Sequence, residues 1–157
     1  MNDIKSVLFV CTGNSCRSVM AEGLLKKYLK ELEKETIEVD SAGVMNYSGQ
    51  PPTPETIEVM NKEGIDVSSH RSKNLTRNLI EGADLILVME RMHKDMVVSM
   101  VPEASPKTYL LTEFWTDEKD RGSNKHGVQD PLGMSMEGYR ICLGVIKNQI
   151  ERIAQKL

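Results

Sequence analysis

A chain of 157 residues with 39% hydrophobic and 27% charged side chains fits one domain of ordinary size, able to bury a core without metal or disulfide staples. Its net charge of −3 gives no overall electrostatic footprint for nucleic acid or an anionic membrane, and no run of about 18 apolar residues offers a membrane-spanning helix. The three cysteines, Cys11, Cys16 and Cys142, make an odd count that fits a reducing, cytoplasmic compartment, and with His70, His93 and His126 they form no zinc spacing.

In chain order, the short apolar run Val7–Val10 predicts a first strand and is too brief for the core of a signal peptide. Met20, Leu24, Leu25, Tyr28, Leu29 and Leu32 then recur at helical spacing. A second strand is predicted around Ile37–Val39. Pro54 suits the first turn of a helix carrying Ile57, Met60 and Ile65, with Gly64 as its stop. Leu85–Val88 predicts a third strand and Thr108–Leu111 a weaker fourth. Thr116–Gly133, rich in Asp, Lys, Gly and Asn, reads as a long loop, and loops of that length tend to be functional or disordered.

Tyr139, Ile141, Cys142, Val145, Ile146, Ile150, Ile153 and Leu157 predict one long C-terminal helix, with Cys142 on its apolar face. Most of the 10 methionines fall on helix faces, where Met usually fills core. No internal repeat or low-complexity tract is present. Strands alternating with helices imply an α/β fold: a single-domain three-layer sandwich with a central, mostly parallel sheet and helices on both faces.

The segment Cys11-Thr12-Gly13-Asn14-Ser15-Cys16-Arg17-Ser18 follows a predicted strand and opens a predicted helix. In that place the N–H groups of the turn and the first unpaired N–H groups of the helix converge on an anion site. Gly13 permits a turn conformation that a side chain resists, and Asn14 is the next best residue for positive φ. The helix terminus and the Arg17 guanidinium both favour thiolate over thiol at Cys11. Ser18 can donate a hydrogen bond to that sulfur, and the planar fork of Arg17 matches two phosphoryl oxygens. The octet therefore predicts attack of Cys11 on phosphorus. Hydrolysis also needs a group that protonates the leaving atom and later takes a proton from water. Asp130, held extended by Pro131 in the long loop, offers one, with Asp117 and Asp120 next in line.

These residues resemble the low-molecular-weight protein tyrosine phosphatase family along nearly the full chain. The likeness rests on the octet and continues through Met20-Ala21-Glu22, Ser41-Ala42-Gly43, Pro54, Gly64-Ile65-Asp66 with His70, the strand from Asp84, and Asp130-Pro131. The resemblance implies Cys11 as nucleophile, Arg17 as phosphate clamp and Asp130 as general acid and then base, with no metal or other cofactor. It implies phosphate binding by Thr12, Gly13, Asn14, Ser15, Cys16 and Ser18, and a loop held in shape by Asn14 and His70. Without it, His70 reads as a surface helix cap. Phosphorylated proteins are the implied substrates and inorganic phosphate the product.

Several positions depart from that pattern. Val19 replaces the usual Pro, which loosens the helix start. Ser15 and Leu132-Gly133 stand where the tyrosine phosphatases carry a hydrophobic residue and an aromatic, and they are more similar to the protein arginine phosphatases of the same family. Tyr47 lies where another wall aromatic is expected. Phosphotyrosine is thus favoured by the family's usual activity and Tyr47, and phosphoarginine by Ser15, Leu132 and Gly133.

Three alternatives accompany this. The octet is also similar to that of thioredoxin-coupled arsenate reductases, but Met89 stands where the first relay cysteine belongs. A phosphocarrier or phosphate-binding regulator would use Cys11 without Arg17 and Asp130. Cys16 either packs or forms a reversible disulfide with Cys11.

Overall fold

The fold is built around β1, Ser6–Cys11, whose residues from Val7 onward are all buried. In this computed structural model, which describes residues 3–45, 48–115 and 127–157, β1 is one of the two inner strands of a four-stranded sheet of order β2-β1-β3-β4. The other strands are β2, Glu38–Gly43, β3, Leu85–Val88, and β4, Thr108–Leu110, and every pairing is parallel. A strand covered on both faces reads as a continuous apolar run, which explains Val7–Val10 and Leu85–Val88.

Alternate β1 side chains feed two cores. Val7, Phe9 and Cys11 join a cluster with residues of α1 (Arg17–Glu31), α2 (Pro54–Lys62) and α5 (Met136–Lys156). Leu8 and Val10 pack with Ile80 of α3 (Arg77–Gly82), Val97 of α4 (Arg91–Met100) and Ala104 of a 3₁₀ turn, Pro102–Lys107. Helices therefore cover both faces of a parallel sheet, which is the three-layer α/β architecture. The chain leaves β1 for β2 on one side and returns past it to β3 on the other. That reversal places the C-terminal ends of β1, β2 and β3 around one crevice.

The differences from the sequence expectation have physical reasons. β2 begins at Glu38 and runs to Gly43, beyond the expected Ile37–Val39, because all six of its residues pair with β1 although Asp40 and the buried Ser41 break the apolar pattern. β4 ends at Leu110 rather than Leu111. Helix α2 closes at Lys62, before Ile65. Neither α3 nor α4 was anticipated. α3 spans only 6 residues, and α4 buries only His93 and Val97, so no apolar stripe marks either one. On α5, Ile141 is 60% exposed, since it lies two residues from the buried Tyr139 and faces away from the sheet. Met20, Met60 and Met89 are core, while Met45, Met92, Met96 and Met134 are exposed, so the core role expected for methionine holds for only some of them. Among the described residues no helix is long and apolar enough to cross a membrane.

Candidate active site

Cys11 ends β1, and the turn from Thr12 to Cys16 leads into α1. Cys16 caps α1 without a side-chain hydrogen bond, and the first turn carries no acidic residue. The helix therefore presents its leading N–H groups and positive dipole end to the loop. The loop's left-handed residue is Asn14, at φ 56°, so Asn14 and not Gly13 supplies the positive φ.

Asn14 is fully buried and its side chain is saturated. Its Oδ1 accepts from Lys73 N at 3.0 Å, which orients the amide, and Nδ2 donates to Ser18 Oγ at 2.8 Å and Ser41 Oγ at 2.9 Å. Ser41 donates onward to Glu22 Oε1 at 2.5 Å. His70 Nε2 donates to the Asn14 carbonyl at 3.1 Å. Since Ser18 Oγ already accepts from Asn14, its own hydrogen is free for Cys11 Sγ, 2.9 Å away. The loop backbone is tied to the end of β2 by Val44 N to Cys11 O at 3.0 Å and Met45 N to Thr12 O at 2.9 Å.

Arg17 is 1% exposed, and a buried guanidinium is tolerated only when its protons are matched. Nη1 donates to Glu90 Oε1 at 2.8 Å and to Val128 O at 2.7 Å, and Nη2 donates to Thr12 Oγ1 at 3.2 Å. The terminal fork expected to hold two phosphoryl oxygens is thus half committed, because both Nη1 hydrogens are spent. Among the described residues Nε makes no hydrogen bond, so the Nε–Nη2 edge remains for an anion.

Asp130 Oδ2 lies 3.6 Å from Arg17 Nη2, and its Oδ1 accepts from Leu132 N at 3.1 Å. Its side chain is 40% exposed, open enough to exchange protons with solvent.

A cleft of about 240 Å³ is lined by Cys11, Thr12, Gly13, Ser15, Cys16 and Arg17, by Gln50, Pro51 and Thr53, and by Asp130 and Leu132. Leu132 is 63% exposed at its edge. Ser15 Oγ lies 3.8 Å from Cys16 Sγ, and Thr53 Oγ1 lies 3.5 Å from that sulfur. All three cysteines are free thiols. Burial pushes the Cys142 thiol up to about 12, which makes it a poor nucleophile. Asn14 and Ser18 support the loop from behind and do not line the cleft, and His70 reaches only the loop's backbone. Tyr47, Asp117 and Asp120 lie outside the described residues, as does the 116–126 part of the expected acid loop.

Sequence alone did not reveal Gln50, Pro51 and Thr53 of the cleft wall, nor four residues packed around the loop. Glu90 and His93 begin α4, and His93 Nε2 lies 2.9 Å from Thr12 Oγ1. His93 is fully buried, and burial, with Arg17 nearby, holds its pKa down at about 4. Gly43 packs flat on the loop, where a Cβ would stand 2.7 Å from Thr12 O and 3.0 Å from Asn14 N. Gly127, at φ 82°, lies where a Cβ would collide with Met89 O, and this close approach delivers the Val128 carbonyl to Arg17. Glu90-x-x-His93 ahead of a polar segment is the one signal that could have flagged a helix start.

The family model described as low molecular weight phosphotyrosine protein phosphatase matches residues 6–157. The protein-arginine-phosphatase of Geobacillus stearothermophilus is 38% identical over 151 residues, 96% of this chain and 95% of that protein. The solved structure of a low molecular weight protein tyrosine phosphatase from T. tengcongensis superposes with a TM-score of 0.87 at 42% identity, covering 97% of this chain and 99% of that one. A mutant of the arginine phosphatase YwlE with a phosphorylated active-site serine superposes with a TM-score of 0.87 at 33% identity, covering 97% and 95%.

Proposed function

The chain belongs to the low molecular weight phosphotyrosine protein phosphatase family, and from that premise we propose that residues 1–157 form one cytoplasmic phosphatase domain that hydrolyses phosphorylated protein side chains through a cysteinyl-phosphate. The observation that carries it is the meeting, in one cleft, of the Cys11 sulfur, the Arg17 guanidinium and the Asp130 carboxyl.

In the first step the Cys11 thiolate attacks phosphorus. The S–P bond forms as the bond from phosphorus to the side-chain oxygen or nitrogen breaks, and Asp130 gives its proton to the departing atom. Loop N–H groups and the free edge of Arg17 hold the equatorial oxygens as their charge redistributes. In the second step Asp130 takes a proton from water as that water attacks phosphorus. Inorganic phosphate leaves, and the Cys11 thiolate is restored while accepting from Ser18. A carrier would have no use for the carboxyl, and an arsenate relay would need a cysteine where the buried Met89 stands.

Phosphotyrosine is the substrate that the family's name implies. Phosphoarginine is favoured by Ser15 and Leu132, which line the described part of the cleft where the tyrosine phosphatases carry a hydrophobic residue and an aromatic, while Tyr47, the wall aromatic that would favour phosphotyrosine, lies outside the described residues. The protein-arginine-phosphatase likeness points the same way. Parallel kcat/KM measurements on phosphotyrosine and phosphoarginine peptides test this, a preference above about tenfold (1.4 kcal/mol) deciding the substrate. Cys11→Ser is expected to abolish turnover while retaining phosphate binding, and full activity in that variant would overturn the assignment.

A further inference from the structure

We infer that Glu90 and His93, at the start of α4, are positioning residues for phosphoryl transfer, Glu90 holding Arg17 and His93 turning the Thr12 hydroxyl hydrogen toward the anion cleft. The kinetic arm of its test rests on the phosphatase function proposed above; the spectroscopic arm does not.

Four residues close a ring. Arg17 Nη1 donates to Glu90 Oε1 at 2.8 Å, and Nη2 donates to Thr12 Oγ1 at 3.2 Å. Thr12 Oγ1 lies 2.9 Å from His93 Nε2, and His93 Nδ1 accepts from the Glu90 backbone N–H at 3.0 Å. The directions around this ring are fixed by chemistry. A ring nitrogen that accepts an N–H bears no proton, so the His93 proton sits on Nε2 and points at Thr12. The opposite tautomer, or an imidazolium, would set two N–H groups against each other in a wholly buried place.

Thr12 Oγ1 therefore accepts from two donors, His93 and Arg17. A hydroxyl oxygen has two lone pairs and one hydrogen, so with both pairs occupied the hydrogen is left to donate. Thr12 lines the cleft beside Cys11 and Arg17, where a phosphoryl group offers acceptors. His93 does not line the cleft and acts through Thr12. Arg17 of α1 and Asp130 of the acid loop are the charged groups that act on its imidazole, and it is joined to Glu90 of its own cap. An uncharged imidazole donates without adding a second cation near the guanidinium.

A double-mutant cycle reads the coupling. His93→Asn keeps an amide oxygen near the Nδ1 position, so the helix start survives, but it loses the donor to Thr12. Thr12→Val removes the hydroxyl. With an aryl phosphate as substrate, each single change is expected to lower kcat/KM roughly tenfold, as loss of one hydrogen bond to a charged group does. The double variant is expected to be no worse than the poorer single. Losses that multiply to about a hundredfold would overturn the coupling and leave the phosphatase function standing. His93→Gln, whose longer amide reaches Thr12, is expected to recover part of the rate.

Independently of turnover, nitrogen–proton correlation of the wild-type imidazoles at neutral pH is expected to show His93 protonated on Nε2 alone. A proton on Nδ1 would overturn the inference whether or not the protein is active. Absence of any phosphatase activity in the wild type would instead remove the proposed function, and the imidazole spectrum would still judge the ring.

Discussion

The hydroxyl of Ser18 lies 2.9 Å from the sulfur of Cys11. Its direction is imposed from behind, because Asn14 Nδ2 occupies a Ser18 lone pair at 2.8 Å and leaves the hydroxyl hydrogen for the sulfur. A hydrogen bond to a charged group contributes about 1.5–3 kcal/mol. Ser18→Ala is therefore expected to lower kcat by about 10- to 100-fold, with a smaller change in KM. The loss should fall on breakdown of the phosphoenzyme, where thiolate departs, and rapid-quench kinetics should show a burst followed by slow turnover. An unchanged kcat would mean that Ser18 only braces Asn14.

Asp130 stands 3.6 Å from Arg17 Nη2 and has one oxygen tied to Leu132 N. As the acid for a phenolic leaving group, it is expected to matter most when that phenol is weakly acidic. Asp130→Ala should slow phosphotyrosine hydrolysis by roughly 100-fold or more, and slow an aryl phosphate with a more acidic phenol less. Equal rates in variant and wild type would place the acid elsewhere, with Asp117 and Asp120 next to be replaced.

The buried His93, with its pKa held at about 4 by burial and then by Arg17, ties stability to pH. In the unfolded chain a histidine charges below about 6.5. Between that value and 4 the unfolded state binds the extra proton and the folded state does not. Stability from this group is thus full above about pH 6.5, falls as pH drops toward 4, and levels off below it. The span is on the order of 3 kcal/mol. Urea unfolding at pH 7 and pH 4 should show a smaller acid loss in His93→Asn than in wild type, and equal losses would contradict a neutral buried imidazole.

Gly43 is covered by the backbone of the phosphate loop. A Cβ there would stand 2.7 Å from Thr12 O and 3.0 Å from both Asn14 N and Gly13 C, none of which can rotate away. Gly43→Ala is expected to cost about 1–3 kcal/mol of stability, as overpacking does, and to lower turnover because the displaced atoms carry the loop. Chemical denaturation and kcat on the same preparation check both.

Much of the architecture was readable along the chain because it depends on near neighbours. The apolar runs of β1 and β3 and the helical spacing in α1 and α5 reflect the one-face and two-face burial of each element. α3 and α4 were not readable, since neither has enough buried positions to make a stripe. The strand end at Gly43 was missed because Asp40 and Ser41 are polar. Ser41 is buried to serve Asn14 rather than to pack.

Local order in the sequence determined the anion loop itself. Cys11 ends a strand and Arg17 and Ser18 open a helix on either side of one short turn, and residues so close along the chain must share a site whatever else the chain does. Tertiary structure alone decided what holds those groups at working distance. Glu90, His93 and the Val128 carbonyl are remote in sequence and unremarkable as residue types. They arrive because parallel strands pack with their C-terminal ends aligned, so that the segments following β1, β3 and β4 meet over one crevice. A buried cation needs partners from every side, and only the packed sheet can bring them.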